Sequence, residues 1–273
     1  MLRVESETGW WLTTHPDHAR LAGSFAAAWG SEVFRRPEPR TRVLYAISAH
    51  DDGWADRDAH PTITRQGKPS AFSTELVGKY SAFEEIDLVD YLAVRERAVR
   101  LIASTDPYAA LLIAMHTYDL LSERADRSTI SQEGLTLLDD FLSRQRVYQD
   151  ELWDYIAADE TLINEQKKRE TIREHFRLLQ ACDNLSLLSC VGFDRPASLL
   201  HPLPLKGGGS AEVTVHPLGP RSFRLSPWPF AQKELTFAFP ARHVTGRTFE
   251  SSAKLEQAFL AATVKELTVT LAA

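Results

Sequence analysis

The spacing of apolar side chains divides the chain into a long stretch of helical period and a shorter stretch of strand period. Over residues 1–200, apolar positions recur every three or four residues, which is the pattern of helices with one buried face. His15 to Trp29 is rich in Ala and Leu. Thr13 and Thr14 are its candidate caps, and Pro16 falls near its first turn. Arg40 to Ala49 predicts a second helix, running into the acidic segment HDDGWADRDAHP, where Gly53 and Pro61 stop any helix. Residues 55–80 carry few periodic apolar positions and read as an ordered loop. Leu88 to Ile102 has helical spacing. Asp106-Pro107 is a cap followed by a first-turn proline that opens YAALLIAMHTYDLL. Two long helices are expected over 131–158 and 160–191.

The period changes after residue 202. KGGGS at 206–210 is a turn or short connection. It is followed by AEVTVHPL, SFRLSPWPF, ELTFAFPA and KELTVTL, alternating or β-branched runs separated by turn residues. These predict three to five antiparallel strands, with one short helix near 252–263. Seventy residues make a marginal core, so the sheet is expected to pack on the helical part, with Phe72, Trp228 and Phe230 at the seam. The expected architecture is α+β, mainly α: a helical core over 1–202 and a C-terminal antiparallel β-sheet over 203–273.

Composition narrows the function. Of 273 residues, 44% are hydrophobic and 25% charged, and the formal net charge is -6. That balance argues against bulk nucleic-acid binding, which leaves a basic footprint. It leaves open a small phosphorylated substrate held by a dication. No run of 18 apolar residues marks a membrane span, and MLRVESETGWW lacks a basic start followed by an apolar run. A cytoplasmic protein is expected. Cys182 and Cys190 fall in one helix about 12 Å apart along its axis, too far for a disulfide, and read as buried free thiols.

Four His and Asp positions then stand out, in the order His18, His50-Asp51, Asp183, with His116 between the last two. A His-Asp pair alone says little, since the composition yields on the order of one by chance, and a motif needs its context. Here VLYAISAH is an apolar run that ends at the pair. Asp183 lies in FRLLQACDNLSLLSC and His116 in AALLIAMHTYDLL. A carboxylate in apolar surroundings is costly unless paired or metal-bound. Mixed imidazole and carboxylate donors suit Zn, Mn, Fe or Ni. A helix-end histidine with a solvated acidic loop, a buried Asp bonded to a helix, and a satisfied core histidine are the plainer readings of the same positions. His15, three residues before His18, reads as a rim or cap residue, and Asp119 is placed to orient His116. His175 reads as outer-shell or surface. Asp52, Asp56 and Asp58 form an acidic loop in which one is a candidate general base. Trp54 reads as a packing anchor. Arg20, Arg42, Arg57 and Lys68 are the nearby cations. No phosphate-cradling GK[ST] loop, GxGxxG, GxSxG or CxxC occurs.

The ordered set His18, His50-Asp51, Asp183 resembles the HD-domain superfamily of metal-dependent phosphohydrolases. That resemblance implies a helical core and a divalent transition metal held by His18, His50, Asp51 and Asp183. His116 matches an extra histidine of two-metal members, which usually have two such residues where this chain offers one. The whole chain also resembles a bacterial family of about this length with no assigned activity, through HPDHARLAG, AISAHDDGW, DPYAALLIAMH and SPWPF. The expectation is a metal-dependent hydrolase of a small phosphorylated or nucleotide-like substrate. In it Asp51 or Asp52 handles the proton of an activated water and His116 faces the substrate. The alternatives are a two-iron oxygenase of the same superfamily and a non-catalytic metal-binding or scaffold protein. Oligomeric state is left open.

Overall fold

The fold is taken from a computed structural model that describes residues 1–77 and 88–273. The chain is α+β and mainly α. Strands β1 (Leu2–Glu5) and β2 (Gly9–Thr13) open it, followed by helices α1 (His15–Ala28), α2 (Arg40–Ala49) and the short α3 (Ala55–Ala59). Then come α4 (Leu88–Ala103), α5 (Pro107–Asp119), α6 (Gln132–Ala158) and α7 (Arg169–Cys190). Strands β3 (Ala197–Ser198), β4 (Leu203–Pro204), β5 (Ser210–Ala211), β6 (Thr214–Gly219), β7 (Ser222–Ser226) and β8 (Glu234–Thr245) lead to α8 (Ser252–Ala261) and β9 (Val264–Ala272).

Local chemistry explains the helix starts. Thr14 accepts a hydrogen bond from the Asp17 amide, and Pro16 occupies the first turn of α1. Asp106 accepts from the Tyr108 and Ala109 amides with Pro107 behind it. Ser131 caps α6 and Ser251 caps α8 in the same way. Helix α7 starts at Arg169, later than residue 160, because residues 159–168 form successive turns. The segment expected to be loop, 55–80, holds α3 and a short 3-10 turn at Thr74–Leu76, and another 3-10 turn, Asp52–Trp54, precedes it; its last residues, 78–80, lie outside the described residues.

The seven-stranded sheet has the order β1-β2-β8-β9-β7-β6-β3. Two differences from the sequence reading follow. The helical part is not all-helical, because β1 and β2 pair with each other and extend the C-terminal sheet at β8, with Trp10 opposite Val244. The sheet is not wholly antiparallel, since β7 and β9 run parallel, Phe223 opposite Leu271. The remaining pairs are antiparallel, including the long β8–β9 ladder, and KGGGS turns the chain between β4 and β5.

The sheet rests on α1 through aromatic contacts. Phe25 of α1 meets Phe237 of β8 edge-on at 4.9 Å, and Trp29 meets Phe230 at 5.6 Å. Edge-to-face pairs at such spacings contribute about 0.5–1.5 kcal/mol each beyond area burial. Phe230 and Trp228 sit at the seam, and Phe72 bridges to Leu2. One apolar cluster runs from α1, α2, α5 and α7 into β6, β7, β8 and β9. Cys182 and Cys190 are buried free thiols. Among the described residues no helix is long and apolar enough to cross a membrane.

Candidate metal centre

Four helices bring five ionisable side chains to one buried point. His18 projects from the second turn of α1, and His50 and Asp51 follow the end of α2. His116 lies near the end of α5, and Asp183 in the middle of α7. All five are buried, from 0% exposure at His50 to 6% at Asp183. Helices α1 and α2 approach closely because Gly23 lies against Ser48. A Cβ on Gly23 would stand 1.9 Å from the Ser48 Oγ. A second close contact holds the other side of the HD turn. A Cβ on Gly53 would meet the Val94 carbonyl at 2.6 Å, so only glycine lets the turn after Asp51 lie against α4. Helices α5 and α7 form a ladder in which His116 faces Asp183 and Asp119 faces Gln180, one turn along.

The donor atoms crowd together. His18 Nε2 lies 3.0 Å from Asp51 Oδ2, and His50 Nε2 lies 3.2 Å from Asp183 Oδ1. His50 Nε2 is also 3.8 Å from Asp51 Oδ2, and His116 Nε2 is 4.0 Å from Asp183 Oδ2. Ligands at about 2.1 Å from one ion stand about 3–3.5 Å from their neighbours in the same shell. The contacts at 3.0 and 3.2 Å fit that shell, and those at 3.8 and 4.0 Å are wider. Among the described residues two groups of three, His18/His50/Asp51 and His50/His116/Asp183, bring one donor atom from each residue within 4.8 Å of the others.

The outer hydrogen bonds decide where the imidazole lone pairs point. His50 Nδ1–H donates to the Ile47 carbonyl at 2.8 Å, which only accepts. Its Nε2 therefore carries the lone pair, aimed at the carboxylates. The Ser186 hydroxyl donates to the Asp183 carbonyl at 2.8 Å, so its proton is spent. Ser186 Oγ thus accepts from His18 Nδ1–H at 2.9 Å, and His18 Nε2 faces Asp51 with its lone pair. Two imidazole lone pairs and two carboxylate oxygens point at one another. Acceptors in this arrangement need a cation between them, either added protons or a metal ion. Outer partners that set the tautomer in this way are the usual support of metal-binding histidines.

The electrostatics agree. Burial alone would lower the His50 pKa, but Asp51 and the hydrogen bond to Asp183 outweigh it and raise it to about 9. Burial pushes the Asp51 carboxyl up, yet Arg95, then His50 and His18, hold it well below the usual carboxylate range. Asp183 is lowered against its own burial by His50, His116 and His18. His116 is driven down to about 3 by burial, against the pull of Asp183, and is a neutral imidazole. Its Nδ1 is buried and without a hydrogen-bond partner, an orphaned polar atom within the cluster.

One member of the centre escaped the sequence reading. Arg95 of α4 is buried and places Nη1 2.6 Å from Asp51 Oδ1. Its guanidinium lies 5.4 Å from the Trp54 ring and 5.2 Å from the Tyr91 ring, and its Nε donates to the Tyr91 hydroxyl at 3.2 Å. The signal was present. Tyr91, Leu92, Arg95, Ala98, Val99 and Ile102 form the buried stripe of α4, so a charge sits in a row of apolar positions and requires a partner.

The other candidates fall around the cluster rather than in it. Asp52 pairs with Arg20 at 2.9 Å and Asp56 with Arg97 at 2.9 Å, both toward solvent. Asp58 departs from the expected solvated loop. It is buried and lies 2.8 Å from the Met1 amine and 3.1 Å from His15 Nδ1. His15 stacks on Trp54 at 4.4 Å, which makes Trp54 a packing anchor. His175 is buried and meets the Tyr108 hydroxyl at 2.7 Å. Arg42 pairs with Asp159 at 2.7 Å. Asp119 does not orient His116. It accepts instead from Arg124 Nε and Gln180 Nε2, both at 2.9 Å. Gln180 in turn accepts from His201 Nε2 at 2.5 Å, and His201 adopts a left-handed backbone with φ 65°. A groove of about 360 Å³ opens beside Asp58, lined also by Asp17 and Arg242, and none of the five cluster residues lines it.

The family described as "Protein of unknown function (DUF3891)" matches residues 1–246. No curated protein and no solved structure matches the chain.

Proposed function

We propose that the chain, which belongs to the DUF3891 family of proteins of unknown function, is a metal-dependent hydrolase of a small phosphorylated or nucleotide-like substrate. The observation that carries the metal half of this reading is the set of inward-facing acceptors: His18 Nε2, His50 Nε2, Asp51 Oδ2 and Asp183 Oδ1. His116 adds Nε2, which lies 4.0 Å from Asp183 Oδ2. Nitrogen and oxygen donors together suit Mn, Fe, Zn or Ni. A bound dication supplies Lewis acidity and brings the pKa of a coordinated water toward about 7. The hydrolase half rests on the ligand order shared with HD-domain phosphohydrolases and on the helical setting of each ligand.

The side chains divide the work. Ser186 and the Ile47 carbonyl engage Nδ1 of His18 and of His50, so that Nε2 of each would face the ion. Asp51 would offer the ion Oδ2, because Oδ1 is spent on Arg95. His116, neutral and with a free ring nitrogen, faces the substrate. Asp52 stays on the surface with Arg20 and takes no direct part.

Elemental analysis of tag-free protein beside His50→Ala tests the reading. The wild type should carry a transition metal and the variant should lose it. Metal-loaded wild type should then release phosphate from a panel of phosphomonoesters and nucleotides. Failure of the wild type to take up Mn, Fe, Zn or Ni overturns the proposal, and metal uptake without phosphate release overturns its hydrolase half.

A further inference from the structure

The two ligand groups, His18/His50/Asp51 and His50/His116/Asp183, share His50. That residue has a single nitrogen to give. Its Nδ1 carries a proton donated to the Ile47 carbonyl, so only Nε2 has a lone pair, and an imidazole nitrogen binds one ion at a time. The two groups therefore cannot be filled together by two ions that both need His50. Through His50 one ion can fill one group or the other, but not both at once.

A carboxylate is the usual means of joining two ions, since each oxygen can serve one of them. In this chain that route is closed at Asp51. Its Oδ2 faces the cluster beside His18, while its Oδ1 is capped at 2.6 Å by the guanidinium of Arg95. The cap is built into the fold. Arg95 is buried, contacts the Trp54 and Tyr91 rings, and bonds the Tyr91 hydroxyl. Arginine stays charged at any working pH and binds carboxylates in a fixed geometry. Two carboxylates and one guanidinium leave the centre at a formal −1 before any ion enters, a balance suited to one dication rather than two.

We infer that this is a single-ion centre in which Arg95 occupies, as a permanent positive charge, the outer side of Asp51 where a second ion would bind. The inference rests on the metal reading above and extends it. The reaction class narrows to chemistry that one ion supports, and a two-iron oxygenase is set aside. Arg95 is a positioning residue: it fixes Asp51 as a one-oxygen ligand.

Titration of the full-length apoprotein with Co²⁺, followed by visible absorption, tests this. The wild type should saturate at one equivalent. Arg95→Gln frees Oδ1 and should admit a second, weaker equivalent with an altered spectrum, while Arg95→Lys, which restores a cation, should return to one. The paramagnetic resonance spectrum of Mn²⁺-loaded wild type should be that of an isolated ion, a measurement that stands even if the variants fail to fold. Two equivalents or a coupled-pair spectrum in the wild type overturn the inference and leave the metal reading intact. An Arg95→Gln titration identical to wild type also overturns it. No Co²⁺ uptake by the wild type overturns the metal reading itself.

Discussion

Replacing Asp183 by Asn removes one anionic ligand while keeping the shape of the side chain. In the wild type Asp183 faces His50 at 3.2 Å and His116 at 4.0 Å, so one substitution removes the carboxylate of the His50/His116/Asp183 group. An ion that binds only the folded state stabilises it by about 2.7 kcal/mol when present at a hundred times its Kd. The chain has 273 residues, and an unfolding entropy of about 2.1 cal/mol/K per residue makes each kcal/mol worth about 2 °C in Tm. The wild type should therefore gain about 5 °C when Mn²⁺ replaces chelator. If losing the carboxylate weakens binding about a hundredfold, the same metal concentration only equals the new Kd. The stabilisation then falls to about 0.4 kcal/mol, under about 1 °C. Scanning calorimetry of both proteins, with chelator and with Mn²⁺, reads this difference directly. A metal-induced shift in Asp183→Asn equal to that of wild type would refute the assignment of Asp183 as a ligand.

Two further predictions concern the shell around the centre. Ser186→Ala removes the acceptor that fixes His18 as an Nδ1–H tautomer and should weaken metal binding about 10–100-fold, the usual effect of losing such a partner; calorimetric titration with Mn²⁺ at unchanged affinity would contradict it. His175, two turns before Asp183, has its pKa lowered to about 4 by burial and, secondarily, by Arg35. An unfolded histidine protonates near 6.5, so between pH 6.5 and 4 the unfolded state holds more protons and stability falls with pH by about 3 kcal/mol from this group. His175→Gln, which keeps a hydrogen-bonding partner for the Tyr108 hydroxyl, should flatten that acid slope by about this amount in urea unfolding at stepped pH. Parallel slopes in the two proteins would show that His175 is not the source.

Much of the fold was legible because the helices announce themselves locally. Pro16, Asp106-Pro107 and the apolar rows of α1, α5 and α7 depend on neighbours within a few residues. The sheet was legible only as strands. That β2 lies against β8, more than 230 residues away, depends on packing that no local period records, and the parallel β7–β9 pair exists because β9 returns between β8 and β7. The centre shows the same division. His18, His50, Asp51, His116 and Asp183 were readable as polar residues in apolar rows, and the structure brings all five together. Partners from other elements were not. Asp58 looked like one of several loop acids, and only the fold buries it against His15. Asp119, read as the support of His116, is turned away by Arg124 and Gln180.

The cost of the cluster is the strongest general reason to assign it a purpose. Each buried ion carries a desolvation penalty of several kcal/mol, and well-packed apolar residues in the same places are often as stable or more so. Here Asp51, Asp183 and Arg95 are all buried as ions, and three histidines join them. Without a metal, His50 fills the gap by holding a second proton, as its pKa of about 9 reflects. That proton faces Asp183 Oδ1 at 3.2 Å, with Asp51 Oδ2 3.8 Å away. On the proposed reading a bound dication would supply the positive charge there instead. Such a fold keeps its ligand geometry before the ion arrives, and its outer hydrogen bonds to Ser186 and Ile47 need no rearrangement on loading.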